Sequence, residues 1–235
     1  MAGAWLRPLS RGGRRAPVIV CLPPAGSGCG RFQVWQDIVG PEVALAGVQL
    51  PGREARWNET PASTVDEVAC RVAAEMTESG LIDRPFLIYG QSFGGLLGYE
   101  ITRRLAVPPR LMVVAACRAP RWWTPPERGL GADLDALSRT LPGDLDEDIR
   151  AQLLGALYAD AELAATYRSA PSATVSCPIM AWRGQGDPIV TQEQLAGWER
   201  HTEDSFQLVT YPGGHDVPAA QAIQLRELVT ACRSI

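Results

Sequence analysis

Residues 85–95 read Pro85-Phe86-Leu87-Ile88-Tyr89-Gly90-Gln91-Ser92-Phe93-Gly94-Gly95. An apolar, strand-like run ends at Tyr89, a G-x-S-x-G string follows, and a helical stretch from Leu96 to Ala106 comes directly after. A nucleophile elbow requires that context, because its serine sits on a tight strand-to-helix turn that holds the hydroxyl above the sheet. Gly90 and Gly94 fit the same demand, since a side chain at either position would clash as the turn closes. The positive end of the following helix favours the negative charge that develops in acyl transfer. G-x-S-x-G strings are common by chance, so the weight rests on the strand before and the helix after.

The rest of the chain repeats the pattern of short apolar runs and amphipathic stretches. Strands are expected at Val18 to Leu22, Val43 to Leu50, Phe86 to Tyr89, Leu111 to Ala115, Ile179 to Trp182 and Phe206 to Tyr211. Helices are expected at Phe32 to Val39, Val65 to Glu78, Leu96 to Ala106, Gln192 to His201 and Pro218 to Cys232. Val65, Val68, Ala69, Val72, Ala73 and Met76 follow i, i+3, i+4 spacing, with Thr64 placed to cap the helix. This alternation predicts an α/β fold, a mostly parallel sheet with helices on both faces, in one domain over 1–235. Residues 121–173 break the alternation. No strand is expected there. A Trp122-Trp123-Thr124-Pro125-Pro126 turn leads into helical patterns at Leu134 to Thr140, Leu145 to Tyr158 and Glu162 to Arg168, which predict a helical lid inserted over the site.

Bulk properties narrow the function classes. With 235 residues and 46% apolar content the chain can bury a large core. The net charge of −4 supplies no global basic field for nucleic acid. All the cationic residues are arginine, so a Schiff-base lysine is excluded. No apolar run approaches the roughly 20 residues that span a bilayer. The first fifteen residues carry arginines without an apolar core or cleavage site, so a cytoplasmic location is expected. Cys21, Cys29, Cys70, Cys117, Cys177 and Cys232 form no C-x-x-C pair, so they are expected to be reduced and mostly buried, without zinc.

A serine nucleophile needs a base, and the chain has two histidines, His201 and His215. His201 ends a polar helix and reads as an exposed residue. His215 follows Tyr211-Pro212-Gly213-Gly214 just past the last expected strand, where this sheet architecture delivers its base. Asp187 sits in a tight loop after the strand at Ile179 to Trp182 and is the expected carboxylate partner. Asp216 is the rival. The chain order Ser92, Asp187, His215 is that of α/β-hydrolases. The oxyanion hole needs two backbone N–H donors. One is expected from Phe93, and the other from Ala25, the first N–H available after Pro23 and Pro24. The loop Leu22-Pro23-Pro24-Ala25-Gly26-Ser27-Gly28 lacks the lysine of a phosphate loop.

These residues, with Cys21-Leu22-Pro23-Pro24-Ala25-Gly26, Gln49-Leu50-Pro51-Gly52-Arg53-Glu54, Arg84-Pro85, Cys117-Arg118-Ala119-Pro120 and Tyr211-Pro212-Gly213-Gly214-His215, resemble the type II thioesterases that edit polyketide and nonribosomal peptide synthases. The resemblance runs nearly end to end. It implies an α/β-hydrolase with a mobile lid that cleaves acyl groups from the phosphopantetheine arm of an acyl or peptidyl carrier domain. It carries Ser92, Asp187 and His215 over as the triad. The triad chemistry needs no metal or freely bound cofactor, no nucleic-acid or membrane partner is expected, and a monomer suffices. Three positions depart from the family pattern. Gln91 stands where the family has His, Phe93 where it has Met, and Asp216 where it has an aromatic. Trp122 and Trp123 are expected to wall the acyl chamber, and Arg31, Arg53, Arg56 and Arg118 to face an acidic carrier. The same triad could also pass the acyl group to an internal or external nucleophile, giving a lactone or lactam. A non-catalytic docking protein and an ester or peptide hydrolase are further alternatives.

Overall fold

The structure is a computed structural model that describes residues 4–10, 13, 16–123, 130–139, 141, 143–170, 172–217 and 224–225. Its strands are β1 (Leu6–Pro8), β2 (Val18–Leu22), β3 (Ala44–Val48), β4 (Phe86–Gln91), β5 (Leu111–Ala115), β6 (Ile179–Gly184) and β7 (Phe206–Tyr211). They form one sheet in the order β1-β3-β2-β4-β5-β6-β7. The pairs from β3 across to β7 are parallel, and β1 joins the β3 edge antiparallel. The central strands are buried on both faces, as Val18–Leu22 is throughout, so they read as unbroken apolar runs. The edge strand β7 is half-buried instead, with Gln207 and Thr210 exposed and Tyr211 alone fully buried. β1 was not expected, because three residues ending in a proline carry no periodicity.

The α-helices are α1 (Gln36–Val39), α2 (Val65–Glu78), α3 (Phe93–Thr102), α4 (Leu130–Ser138), α5 (Glu147–Ala165) and α6 (Gln192–Ala196). Thr64 caps α2 by accepting the Glu67 N–H at 3.0 Å, and the six apolar residues spaced for one face are all buried. One core lies between the sheet and α2, α3 and the inserted helices. A second lies on the opposite face around Phe32, Trp35, Tyr89 and Trp182. The segment expected as one helix from Phe32 is a 3₁₀ turn, Cys29–Trp35, running into the short α1. Likewise Gln192 to His201 splits into α6 and a 3₁₀ turn. The expected helix from Pro218 lies outside the described residues except for Gln224 and Leu225, which are helical. Among the described residues no helix is long and apolar enough to cross a membrane.

Between β5 and β6 the chain passes through a 3₁₀ turn, Pro120–Trp123, then α4 and α5. The two patterns expected at 145–158 and 162–168 are one continuous helix, capped by Asp146. Asp160 interrupted the apolar spacing in the sequence. It is nevertheless buried in α5, because Arg53 neutralises it. His201 is also buried, against Trp198 and Tyr99, contrary to the expectation of an exposed helix end.

β2 leads to β3 on one side, whereas the chain returns through α2 to β4 on the other. The C-terminal ends of β2 and β4 therefore flank the point where the strand order reverses, which is where open α/β sheets bind ligands.

Candidate active site

Ser92 follows β4 with φ 52° and ψ −123°, a strained conformation for a residue with a side chain. Its backbone N–H donates to the Ala115 carbonyl at 2.8 Å, which ties the elbow to β5. A Cβ at Gly90 would lie 2.4 Å from the Gly94 carbonyl oxygen, and one at Gly94 would lie 2.5 Å from the oxygens of Leu22 and Pro23. The start of α3 thus rests directly on the loop that leaves β2.

Asp187 and His215 come from the neighbouring loops after β6 and β7. These loops are joined backbone to backbone: Gly186 N–H donates to the Gly213 carbonyl at 2.8 Å and Gln185 N–H to Tyr211 at 2.9 Å. The contact brings the three side chains together. His215 Nε2 lies 3.2 Å from Ser92 Oγ, and His215 Nδ1 lies 3.0 Å from Asp187 Oδ2. All three residues are buried. Burial pushes the Asp187 carboxyl up. The hydrogen bond and charge of His215, with the Ile189 and Val190 N–H groups donating to Oδ1, outweigh that and hold it below the usual carboxylate range. Asp216 turns away from this relay. Its Oδ1 accepts from Gln91 Nε2 at 2.8 Å and from Arg31 Nη2 at 2.6 Å. Two positions that depart from the family pattern, 91 and 216, therefore contact one another.

In the loop after β2, Ser27 N–H donates to the Pro24 carbonyl at 3.1 Å, and Gly26 N–H donates to Asp160 Oδ2 at 2.8 Å. Two prolines without N–H groups and two engaged N–H groups leave Ala25 as the donor this turn can offer. Phe93 opens α3, and the first four N–H groups of a helix have no acceptor within it. A cavity of 350 Å³ adjoins Ala25 and His215. Leu137, Leu141, Leu153 and Leu157 form its apolar side, while Ala25, Arg31, Gln91, His215 and Asp216 line the other.

Residues 17–234 match the family described as "Thioesterase domain". The chain belongs to the thioesterase domain family. AMB antimetabolite synthetase AmbE of Pseudomonas aeruginosa is 33% identical over 238 residues, taking in 91% of this chain but 11% of that much longer protein. Thioesterase PikA5 of Streptomyces venezuelae is 33% identical over 225 residues, covering 91% of this chain and 80% of that one. Among solved structures, the type II thioesterase BorB from the borrelidin biosynthetic cluster aligns with a TM-score of 0.82 at 27% identity, covering 99% of this chain and 98% of the other.

The expected tryptophans and most of the expected arginines of this thioesterase stand elsewhere. Phe93 is fully buried, its ring 5.9 Å from that of Trp123. Trp123 is buried and donates its indole N–H to the Arg118 carbonyl. Trp122 lies by Gly197 with Arg121 over its ring. Neither tryptophan lines the 350 Å³ cavity. The expected arginine patch does not form. Arg53, Arg56 and Arg118 are buried and paired with Asp160, Glu59 and Asp133, so they cannot present charge to a partner. Arg31, at the cavity rim, is the partly exposed member. Sequence reasoning missed Asp160 and Asp133, which join the inserted helices to the body. The available signal was that arginines in tight loops beside an apolar core need buried carboxylates.

Proposed function

We propose that this thioesterase hydrolyses acyl thioesters presented on the phosphopantetheine arm of an acyl or peptidyl carrier domain, through an acyl-serine at Ser92. The observation that carries the reading is His215 placed within hydrogen-bond reach of Ser92 on one ring nitrogen and Asp187 on the other. His215 takes the proton from Ser92 as the oxygen attacks the thioester carbonyl. The N–H groups of Ala25 and Phe93 receive the developing oxyanion. The thiol leaves, and water activated by the same imidazole releases the acid. Asp187 holds the ring and stabilises the imidazolium. The scheme draws on side chains and backbone N–H groups alone. The inserted helices act as the lid of the acyl chamber. That chamber is at the small end of ligand pockets, which run to about 300–1,000 Å³, and its leucine side suits a short apolar acyl group. The size favours hydrolytic clearing of small acyl groups over cyclisation of a long chain. Free thiols at all five described cysteines suit work in the cytoplasm.

Intact mass of acyl-loaded carrier domains before and after incubation tests this. Short acyl groups should be removed as free acids, with Ser92→Ala inactive. A cyclic or aminolysed product, or equal turnover by Ser92→Ala, would refute it.

A further inference from the structure

Pro24-Ala25-Gly26-Ser27 is a β-turn. Ser27 N–H returns to the Pro24 carbonyl, and Gly26, with φ 76°, takes the third position. A positive φ there is the type II form, which glycine adopts without strain. The turn is clamped from outside by α5. Asp160 Oδ2 accepts the Gly26 N–H at 2.8 Å and Arg53 Nη1 at 2.6 Å, while Oδ1 accepts Arg53 Nη2 at 2.6 Å. Arg53 Nη1 also reaches the Ser27 carbonyl at 3.4 Å. Contact is close enough that a Cβ on Gly26 would lie 3.0 Å from Leu157 Cβ. Asp160 is 1% exposed. A carboxylate so deeply buried needs its hydrogen bonds satisfied, and one of those comes from the turn itself.

We propose that Asp160, held by Arg53, is a positioning residue for the oxyanion hole: by accepting the Gly26 N–H it fixes the turn that aims the Ala25 N–H at the reacting carbonyl oxygen. The inserted helix α5 therefore completes the site rather than merely covering it. The inference rests on Ala25 acting as an oxyanion donor.

Two double variants of the full chain separate this role from simple anchoring of α5. Arg53→Met/Asp160→Asn and Arg53→Met/Asp160→Leu both remove the ion pair without leaving a lone buried charge. Only the asparagine retains an acceptor for Gly26. With a soluble acyl-N-acetylcysteamine thioester, the asparagine variant should keep kcat within about threefold of wild type. The leucine variant should lose roughly 10- to 100-fold in kcat with KM little changed, part of the 10²–10³ that a whole oxyanion donor supplies. Equal kcat in the two variants, or a loss confined to KM, overturns the proposal. Should the leucine variant not fold, amide hydrogen exchange of the wild type decides the matter. Protection of the Gly26 amide like that of β4 is expected, and exchange at the rate of an exposed loop overturns it. Fluorophosphonate labelling of wild-type Ser92 is run alongside. Absence of labelling would sink the reading of the site itself, independently of Gly26.

Discussion

Asp187 sits where burial and hydrogen bonding pull its protonation in opposite directions, and the bonds win. Its folded value lies below the ordinary 3.8. The stability it contributes is therefore complete above that value and is lost as pH falls through the folded value. Asp187→Asn keeps the shape but offers His215 Nδ1 a donor or the wrong acceptor geometry, so the ring loses its tautomer. We expect kcat to fall by about 10⁴ with the fold intact. Urea unfolding should show wild type more stable than the variant at neutral pH, with the gap closing below pH 3.8. A gap that does not change with pH would contradict the assigned charge state. Asp187, Ser92 and His215 were legible in the sequence because each stands at the end of an expected strand, in a loop whose glycines and prolines mark a turn. Asp160 and Asp133 were not, because a carboxylate in a helical pattern reads as solvent-facing until its arginine is located in space. Arg53 and Arg118 were misread as surface for the same reason.

At the scale of elements, the site depends on how two loops meet. Gly213, with φ 152°, supplies the conformational freedom that lets the chain turn ahead of His215. The structure puts the steric demand on Gly184, the last residue of β6, where a Cβ would fall 2.1 Å from the Gly214 carbonyl oxygen. Around Gly214 a Cβ meets nothing within 4 Å. The two glycines touch, yet substitution should have opposite outcomes. Gly184→Ala must push the loops after β6 and β7 apart, costing about 1–3 kcal/mol as overpacking does and separating His215 from Asp187. Activity should fall at least about 100-fold, while Gly214→Ala stays close to wild type. Steady-state rates and thermal melting of the two variants check this, and matched losses would mean the loops are not in this register. Such a requirement is invisible in a single sequence because it arises between segments thirty residues apart. The helix boundaries failed for a related reason. A buried, ion-paired Asp160 broke the spacing of α5 without breaking the helix.

Across the whole molecule, the strand order places the elbow and the oxyanion turn side by side at the sheet's reversal point, and this much followed from alternating strands and helices. What did not follow is the role of the second histidine. His201 is packed between Trp198 and Tyr99, with Nδ1 3.1 Å from the Ala173 carbonyl and 3.3 Å from the Tyr99 hydroxyl. Burial pushes its imidazole below the ordinary 6.5, reinforced by Arg121 and Arg103 and opposed by the Ala173 carbonyl and Glu100. The folded protein then binds fewer protons at this site than the unfolded chain. Stability from His201 is complete above pH 6.5 and is lost as pH falls below it. One proton's difference limits the slope to about 1.4 kcal/mol per pH unit. His201→Gln keeps a polar group for Ala173 but cannot be protonated in this range. Urea unfolding at pH 7.5, 6.5 and 5.5 should show wild type losing stability faster than the variant below pH 6.5. Parallel curves would mean that His201 titrates alike folded and unfolded, and would overturn the assigned shift.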